Sequence, residues 1–216
     1  MTYSSTYLLY LQSPETKGAK QRQLGTLHQI PLNRARLVRI GHQQPDWTGS
    51  QEEVIEFVTH PTNDHFAYVF YDEETGGETL HIVKWGIRAW YAGEKIDGLC
   101  WAGGAGGGDE TITLGFLDST EATGEDGKRR VNSALYTWQR AINNPSVETM
   151  FTRVDRGDSE FRTLHNLVIS ADGAWLAAEE HSDRGGGNVR VWSTEGDKTF
   201  NIERGLNPRI SRDSRW

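Results

Sequence analysis

Short apolar segments alternate with clusters of Gly, Asp, Asn and Pro along almost the whole chain. Short strands separated by regular turn signals are typical of an all-β sandwich, barrel or propeller. The predicted strands are Tyr7–Leu11, Leu24–Ile30, Leu37–Ile40, Val54–Val58, Phe66–Tyr71, Thr79–Trp85, Ile87–Tyr91, Gly98–Ala102, Thr111–Leu117, Ala134–Gln139, Glu148–Arg153, Leu167–Ser170, Trp175–Glu180, Val189–Ser193, Thr199–Glu203 and Pro208–Ser211. Only the segment Ser133–Asn143 also allows a short helix, and its Tyr, Thr and Trp residues at 136–138 favour a strand.

A tetrapeptide with an aliphatic residue first and Trp last recurs along the chain. Its copies are Ile82–Trp85, Leu135–Trp138 and Val189–Trp192, with a weaker copy at Leu27–Ile30. The last positions, 30, 85, 138 and 192, are spaced by 55, 53 and 54 residues, and four such units account for the full length of 216 residues. Self-similarity at a fixed period indicates a repeat architecture. We therefore predict four repeats of about 54 residues.

A turn that leads into a strand is the second recurring signal. Ile169–Trp175 matches Ile210–Trp216, and His60–Phe66 is a looser copy. In each copy Asp, Asn or Gly residues suit a tight turn, and an aromatic residue opens the next strand. Together the two signals define a unit of four strands, which we label a to d. Its best example consists of Leu167–Ser170, Trp175–Glu180, Val189–Ser193 and Thr199–Glu203.

This unit resembles a blade of the WD40 and TolB-like β-propellers. Ser170–Ala177 and Val189–Trp192 match the repeat patterns S-x-D-G-x-W-L-A and V-x-V-W, although Ser193 stands where the strict repeat has Asp. We therefore expect an all-β protein with one propeller domain over residues 1–216. The expected blades are 1–41 together with 207–216, then 52–97, 98–154 and 164–206.

The two ends of the chain allow two interpretations. The N-terminal segment supplies b, c and d strands only, whereas the C-terminal segment adds an a strand at Pro208–Ser211. If these strands share one blade, the chain is a closed four-bladed ring, which leaves no blade edge exposed. Otherwise the chain is a fragment of a larger propeller.

Residues 54–193 also resemble the N-terminal propeller of the prolyl oligopeptidase family of serine peptidases. The resemblance runs through His60–Tyr68, Asp72, Gly76, Glu78, Leu80, Arg130, Leu135, Tyr136 and Ser170–Gly173. It implies a propeller that limits which peptides reach a separate catalytic domain. That α/β-hydrolase domain carries a Gly-x-Ser-x-Gly elbow. No such pentapeptide occurs here, since the Gly157–Phe161 segment around Ser159 lacks the second glycine.

Composition and charge exclude several classes of function. The net charge of -7 argues against non-specific nucleic-acid binding, which needs a basic face. The basic stretch from Lys17 to Arg39 is interpreted as a solvated loop and strand face, with a patch for phosphate or an acidic partner as the alternative. No apolar run is long enough for a membrane span, and the N-terminus does not resemble a signal peptide. We therefore expect a cytoplasmic protein.

No motif predicts a cofactor, a metal or a catalytic residue. The glycine run Gly103–Gly108 is followed by Asp109 and Glu110, where a phosphate loop would have Lys and Ser or Thr. The seven histidines do not follow metal-ligand spacing, and the acidic clusters do not fit a calcium loop. Cys100, the only cysteine, lies in an apolar run and is expected to be a buried structural thiol. The Arg156–Asp158 tripeptide is interpreted as an ordinary loop.

Loops between a d strand and the next a strand are the best candidates for a binding surface. In propellers the d–a and b–c loops lie together on one face around the central channel, and ligands usually bind there. The expected partner-facing residues are Asp46, Trp47, Glu94, Asp97, Asp155, Arg156, Asp158 and Arg162. Their mixed charge with one aromatic residue suits a polar or peptide ligand, and ordinary polar loops are the alternative interpretation.

Three functional hypotheses follow. The first is a non-catalytic binding or scaffolding propeller with a protein or peptide partner, without nucleic acid or membrane binding. The second is the substrate-gating propeller portion of a prolyl-oligopeptidase-like serine peptidase. The third is an enzyme with a carboxylate site at the channel mouth, where Asp97 and Asp155 would act as general acid and base. The oligomeric state stays open.

Overall fold

The regular structure of this chain consists of β-strands. A computed structural model describes residues 7–12, 26–31, 38–39, 54–61, 65–72, 74–84, 87–102, 111–124, 127–141, 150–155, 162–182 and 187–211. The strands are β1 Tyr7–Gln12, β2 Thr26–Pro31, β3 Val38–Arg39, β4 Val54–Thr59, β5 Phe66–Asp72, β6 Gly77–Lys84, β7 Ile87–Gly93, β8 Ile96–Trp101, β9 Thr111–Thr123, β10 Arg129–Ala141, β11 Met150–Arg153, β12 Arg162–Ile169, β13 Trp175–Ser182, β14 Gly187–Ser193 and β15 Thr199–Ile202. The all-β prediction is confirmed. No helix capable of crossing a membrane occurs in the described part of the chain.

The strands form antiparallel sheets, each built from strands that follow one another in the chain. The first sheet contains β1-β2-β3, the second β4-β5-β6-β7, the third β8-β9-β10-β11 and the fourth β12-β13-β14-β15. Antiparallel neighbours need only a short hairpin connection, so each sheet is assembled locally. Strand β8 contacts both β4 and β12, which places the a strands of the second, third and fourth sheets side by side. This is the arrangement of propeller blades around an axis.

Apolar side chains fill the space between the second, third and fourth sheets. Leu80 of the second sheet packs in one cluster with Phe116 and Trp138 of the third. Leu135 on the other side of the third sheet packs with Leu176 of the fourth. Side chains alternate between the two faces of a strand, so each sheet has two faces to cover. Neighbouring sheets cover them for each other, which explains why the modules stack.

The repeated tetrapeptide falls on the third strand of each four-stranded sheet and, as its weak copy, on the middle strand of the first sheet. Leu135–Trp138 lies on β10, Val189–Trp192 on β14 and the weak copy Leu27–Ile30 on β2. The copy that ends at Trp85 runs along β6 to Lys84, and Trp85 itself lies outside the described residues. Trp138 and Trp192 are 0% and 3% exposed, so both tryptophans occupy a buried position between sheets.

The turn predicted between Ser170 and Trp175 is closed by side chains. Ser170 Oγ donates to Asp172 Oδ1 at 2.5 Å and accepts from Trp175 N at 2.9 Å. Asp172 Oδ1 also accepts from Ala174 N at 3.0 Å. Gly173 has a φ of 73°, in the left-handed region that glycine adopts without strain. The sequence prediction of this turn is therefore confirmed in its chemical detail.

The a strands of the three four-stranded sheets each have an irregularity in their pairing. The pairing register shifts between Val54 and Glu56 in β4, between Asp97 and Cys100 in β8, and between His165 and Val168 in β12. A bulge frees backbone groups from the ladder. In β8 the freed amide of Leu99 donates to Glu56 Oε1 at 3.1 Å. The bulge thus links the a strands of two neighbouring sheets.

The strand interpretation of Ser133–Asn143 is confirmed for residues 133–141, which belong to β10 and pair with β9. Two other details of the strand prediction change. The predicted a strand Pro208–Ser211 is wrong, because these residues form no strand in the described chain. Pro208 cannot donate to a ladder, and Ile210 instead packs beside Val189 and Val191 of the fourth sheet. Strands β8 and β12 begin at 96 and 162, earlier than the expected blade boundaries at 98 and 164.

Candidate functional site: the d–a face

One end of the sheets carries the connections that lead from one sheet to the next. Glu94 and Lys95 join β7 to β8, and Val154 and Asp155 begin the connection from β11 to β12. The β9–β10 hairpin lies at the same end, where Ser119 N donates to Lys95 O at 2.8 Å. We call this end the d–a face. Its described ionisable groups decide what chemistry the face can support.

Asp118 on β9 holds the connection between the second and third sheets. Its carboxylate accepts from Tyr91 Oη at 2.8 Å and from the amides of Glu94 and Lys95 at 3.1 and 3.3 Å. Asp118 is 8% exposed, so these bonds replace its water. A Cβ at Gly93 would lie 2.7 Å from Asp118 Oδ1. The glycine therefore makes room for the carboxylate.

Tyr91 acts as a neutral hydrogen-bond donor in this cluster. Burial raises the pKa of its phenol far above its usual range, and the hydrogen bonds with Tyr136 and Asp118 raise the pKa further. The Tyr91 ring also lies among aromatic rings of the third sheet, 5.2 Å from Tyr136 and 5.1 Å from Phe116 between centroids. Its hydroxyl thus joins an apolar wall to the carboxylate of Asp118.

Glu78 on β6 holds the same connection from the side of the second sheet. Its Oε2 accepts from Ile96 N at 2.6 Å, and the residue is 7% exposed. Ile96 opens β8, so the bond fixes the first residue of the next sheet. Two buried carboxylates from different sheets thereby define the path of a short connection.

Asp155 is the centre of the second connection. Its carboxylate accepts from Leu135 N at 3.0 Å, from Arg153 Nε at 3.0 Å and from Arg162 Nη2. Asp155 and Arg162 are 2% and 5% exposed. The hydrogen bond from Arg153 to Asp155 raises the pKa of the Arg153 guanidinium, despite its partial burial. A buried charge-assisted pair of this kind joins β11, β10 and β12.

A hydroxyl pair completes the contact between the third and fourth sheets. Ser133 Oγ lies 2.8 Å from Ser119 Oγ and accepts from Leu164 N at 3.1 Å. Ser133 is fully buried. The b–c hairpin of the third sheet is therefore hydrogen-bonded to the a strand of the fourth.

Glu179 on β13 organises the chain beyond β15. It accepts from Asn166 Nδ2 at 2.9 Å, from the backbone amide of Asn207, and lies 3.3 Å from His181 Nε2. These bonds, that with Asn166 first, lower the pKa of the Glu179 carboxyl. Asn166 and Asn207 have φ values of 53° and 52°, which asparagine tolerates better than most residues. Each described connection on this face is thus held by at least one carboxylate.

The structure describes four of the predicted partner-facing residues and brings two of them together. Asp155 and Arg162 form the buried ion pair, so neither is displayed to a partner. Glu94 is exposed, and Asp97 is half-buried on β8. Asp46, Trp47, Arg156 and Asp158 lie outside the described residues.

The carboxylate at Asp155 is poorly suited to acid–base chemistry. Two guanidinium groups and a backbone amide already use its oxygens. A carboxylate whose oxygens already accept from these three donors offers few free lone pairs to a substrate. The geometry therefore favours a structural ion pair over the channel-mouth catalytic role predicted for Asp97 with Asp155.

The carboxylates that hold the connections lie inside strands, not in the loops where partner-facing residues were expected. Glu78, Asp118 and Glu179 belong to β6, β9 and β13. Asp118 follows the buried run Ile112–Leu117 without a turn signal, which marks it as a strand residue facing an unusual partner. The position of Asp118 could therefore be recognised from the sequence, but its hydrogen-bond partners at 91–95 could not.

The single cysteine is a structural thiol. Burial raises the pKa of Cys100 above its usual range, so the thiol stays protonated. Its Sγ donates to Gly115 O at 3.7 Å. Cys100 is half-buried and packs beside the cluster of Leu117 and Leu167, so the expected structural role fits although the side chain is not fully buried.

No family model matches the sequence, and no curated protein matches it either. Solved structures do. A structure from a study of two prolyl endopeptidases and their inter-domain dynamics aligns with a TM-score of 0.53 at 11% identity, over 94% of this chain and 29% of that one. The fold is that of a β-propeller. The expected resemblance to the propeller of the prolyl oligopeptidase type is confirmed at the level of fold.

Two further structures align over most of the chain with lower scores. TolB from Acinetobacter baumannii has a TM-score of 0.33 and 12% identity, over 93% of this chain and 53% of TolB. The β-propeller domain of the Trilobed protease from Pyrococcus furiosus has a TM-score of 0.27 and 10% identity, over 91% of this chain and 86% of that domain. The chain spans less than a third of the prolyl endopeptidase that it matches.

Proposed function

We propose that this chain is a non-catalytic propeller module that binds a protein or peptide partner on its d–a face. The proposal rests on how the carboxylates of that face are used. Asp118 and Asp155 bond to loop amides, a phenol and guanidinium groups, and so hold the connections in one conformation. Loops that are ordered before binding lose less entropy when a partner docks.

Charge reversal on the face tests this proposal. Glu94 is exposed on the β7–β8 connection, and Glu195 is exposed on the β14–β15 turn at the opposite end of the sheets. Partners are captured with the purified chain, identified, and their affinities measured by calorimetry with the purified proteins. Glu94→Lys should weaken binding at least tenfold, about the 1.4 kcal/mol expected for a close rim charge. The matched variant Glu195→Lys should leave the affinity unchanged, and the reverse result would place the partner on the other face.

The substrate-gating propeller of a prolyl-oligopeptidase-like peptidase is a second candidate. It is favoured by the alignment with a prolyl endopeptidase, in which this chain corresponds to a part of a longer protein. In that case the d–a face would act together with a catalytic domain. The coding sequence around the chain is the direct test, because an adjoining α/β-hydrolase domain must contain a Gly-x-Ser-x-Gly elbow. A reading frame confined to these residues would contradict this candidate.

The two candidates also differ in the expected number of blades. A ring of four blades and a segment of a larger propeller both require a further layer on the outer faces of the second and fourth sheets. Tyr68 and Phe70 on the second sheet, and Val189 and Val191 on the fourth, are at most 8% exposed, which supports such layers. A monomer that unfolds in one cooperative transition favours the closed ring. Self-association through apolar faces favours a segment of a larger propeller.

A further inference from the structure

The end of the third sheet opposite the d–a face contains a buried arginine without an anionic partner. Arg140, near the end of β10, is 8% exposed. Its Nη1 has no hydrogen-bond acceptor, and neither has the indole Nε1 of Trp138, which is fully buried. Both statements refer to the part of the chain that the structure describes. The two residues are two positions apart on one strand, so their side chains share a face.

Two buried N–H donors without an acceptor, so close together, are energetically unfavourable. A buried N–H without an acceptor loses the hydrogen bonds that water would give it, and an unpaired buried charge loses much more. The other buried guanidinium that contacts the third sheet, Arg162, lies at the boundary with the fourth sheet and is bonded to Asp155. Arg140 therefore differs from Arg162, which is similarly buried but has a carboxylate partner.

Several aromatic rings lie close to Trp138. The Trp138 ring lies 6.0 Å from Trp101 and 6.2 Å from His65 between centroids, and His60 lies 5.4 Å from Trp101. Burial lowers the pKa of His60, which keeps that imidazole uncharged at neutral pH. Trp101 Nε1 donates to Val58 O at 3.2 Å, so its own donor is satisfied. Arg140, two positions from Trp138 on the same strand, is therefore the permanently charged group next to these rings.

We propose that Arg140 and Trp138 bind the carboxylate of a ligand that enters from this end of the sheets. A guanidinium presents parallel N–H groups that match the two oxygens of a carboxylate, and the indole N–H supplies one further donor. The ligand carries a single negative charge, because one guanidinium compensates one charge and a second would stay buried without a partner. The aromatic walls exclude water and strengthen the pair.

The experiment titrates the folded chain with sodium acetate against sodium chloride at constant ionic strength. Thermal midpoint and tryptophan fluorescence are both recorded. Ligands that bind only the folded state raise its midpoint in a saturable way. A second arm compares N-acetyl-diglycine with its C-terminal amide, which distinguishes a peptide C-terminus from a small organic acid. Tighter binding of the peptide acid than of acetate assigns the site to chain ends, and equal binding assigns it to small acids.

Matched variants identify the residues responsible. Arg140→Gln should raise the half-saturating acetate concentration at least about tenfold, and Arg140→Lys should give an intermediate value because it keeps the charge without the planar fork. Trp138→Phe should weaken binding several-fold while keeping the ring. Arg129→Gln is the control, since this arginine lies on the same strand with 85% of its side chain exposed.

Two results would overturn the proposal. One is a wild-type response that does not saturate, or that Arg140→Gln leaves unchanged. The other is a carboxylate of the chain itself as the partner of Arg140. In that case wild type would not respond to acetate, and Asp109→Asn or Glu110→Gln, just before β9, would lower the midpoint as much as Arg140→Gln.

Discussion

The two ends of the third sheet treat buried charge in opposite ways. At the d–a face Asp155 is surrounded by Arg153, Arg162 and a backbone amide. At the other end Arg140 is enclosed without an acceptor among the described residues. Charges of the first kind support the fold, because each one organises a connection between sheets. A charge of the second kind weakens the fold on its own, which is a common property of residues kept for binding.

The largest effect is expected from breaking the ion pair at the d–a face. Asp155→Ala leaves Arg162 buried without its carboxylate and should lower the free energy of unfolding by about 3–5 kcal/mol. Urea denaturation followed by circular dichroism measures the change. Glu121→Ala is the control, because Glu121 is two-thirds exposed at 67% and its contact with Arg129 is 3.9 Å long. An equal loss of stability in both variants would show that the buried pair stabilises the fold no more than the exposed contact between Glu121 and Arg129 does.

The next largest effect concerns Asp118. Asp118→Ala leaves the amides of Glu94 and Lys95 and the Tyr91 hydroxyl without their acceptor, and should lower the free energy of unfolding by about 2 kcal/mol. Tyr91→Phe removes one of these bonds and should lower it by about 1 kcal/mol. Amide hydrogen exchange at residues 94 and 95 should accelerate in Asp118→Ala only. Unchanged exchange there would mean that the carboxylate does not hold the connection.

Replacing Arg140 should raise the free energy of unfolding, whereas replacing Asp155 or Asp118 should lower it. Arg140→Met replaces an unpaired buried charge by an apolar chain of similar length, and should raise the free energy of unfolding by about 1 kcal/mol. Arg162→Met at the other end should lower it, because Asp155 then loses a buried partner. The same denaturation experiment compares the two variants. A loss of stability in Arg140→Met would show that this arginine already has a partner in the folded chain.

The smallest effect is the pH dependence from Glu179. Its pKa is lowered in the folded chain, relative to an unfolded value of about 4.3. The ionised carboxylate therefore adds stability above about pH 4.3, and this contribution is lost as the pH falls through the folded pKa. Wild type should exceed Glu179→Gln in stability at neutral pH, and the gap should close on acidification. A gap that is constant between pH 7 and about pH 3 would contradict the assignment.

The strands, their turns and the repeat could be predicted from the chain because they depend on neighbouring residues. The alternation of apolar positions and the Ser170–Gly173 turn act over a few residues, and both are found as predicted. Three of the tetrapeptide copies fall on the third strand of a four-stranded sheet, and Trp138 and Trp192 are both buried against the preceding sheet. Pro208–Ser211 imitated the turn-and-strand pattern, but no neighbouring strand pairs with it in the described chain. Local pattern alone cannot supply that neighbour.

What the tertiary structure decided is the role of each charge. In the sequence, Asp155 and Arg162 look like loop residues available to a partner, and Arg140 looks like an ordinary residue of a strand. The role of such a charge depends on groups far away in the chain, such as Leu135 for Asp155 or Tyr91 for Asp118. The physical reason is that the energy of a charge depends on the solvent and partners around it, and packing between sheets determines both. The sequence alone determined that blades form and stack.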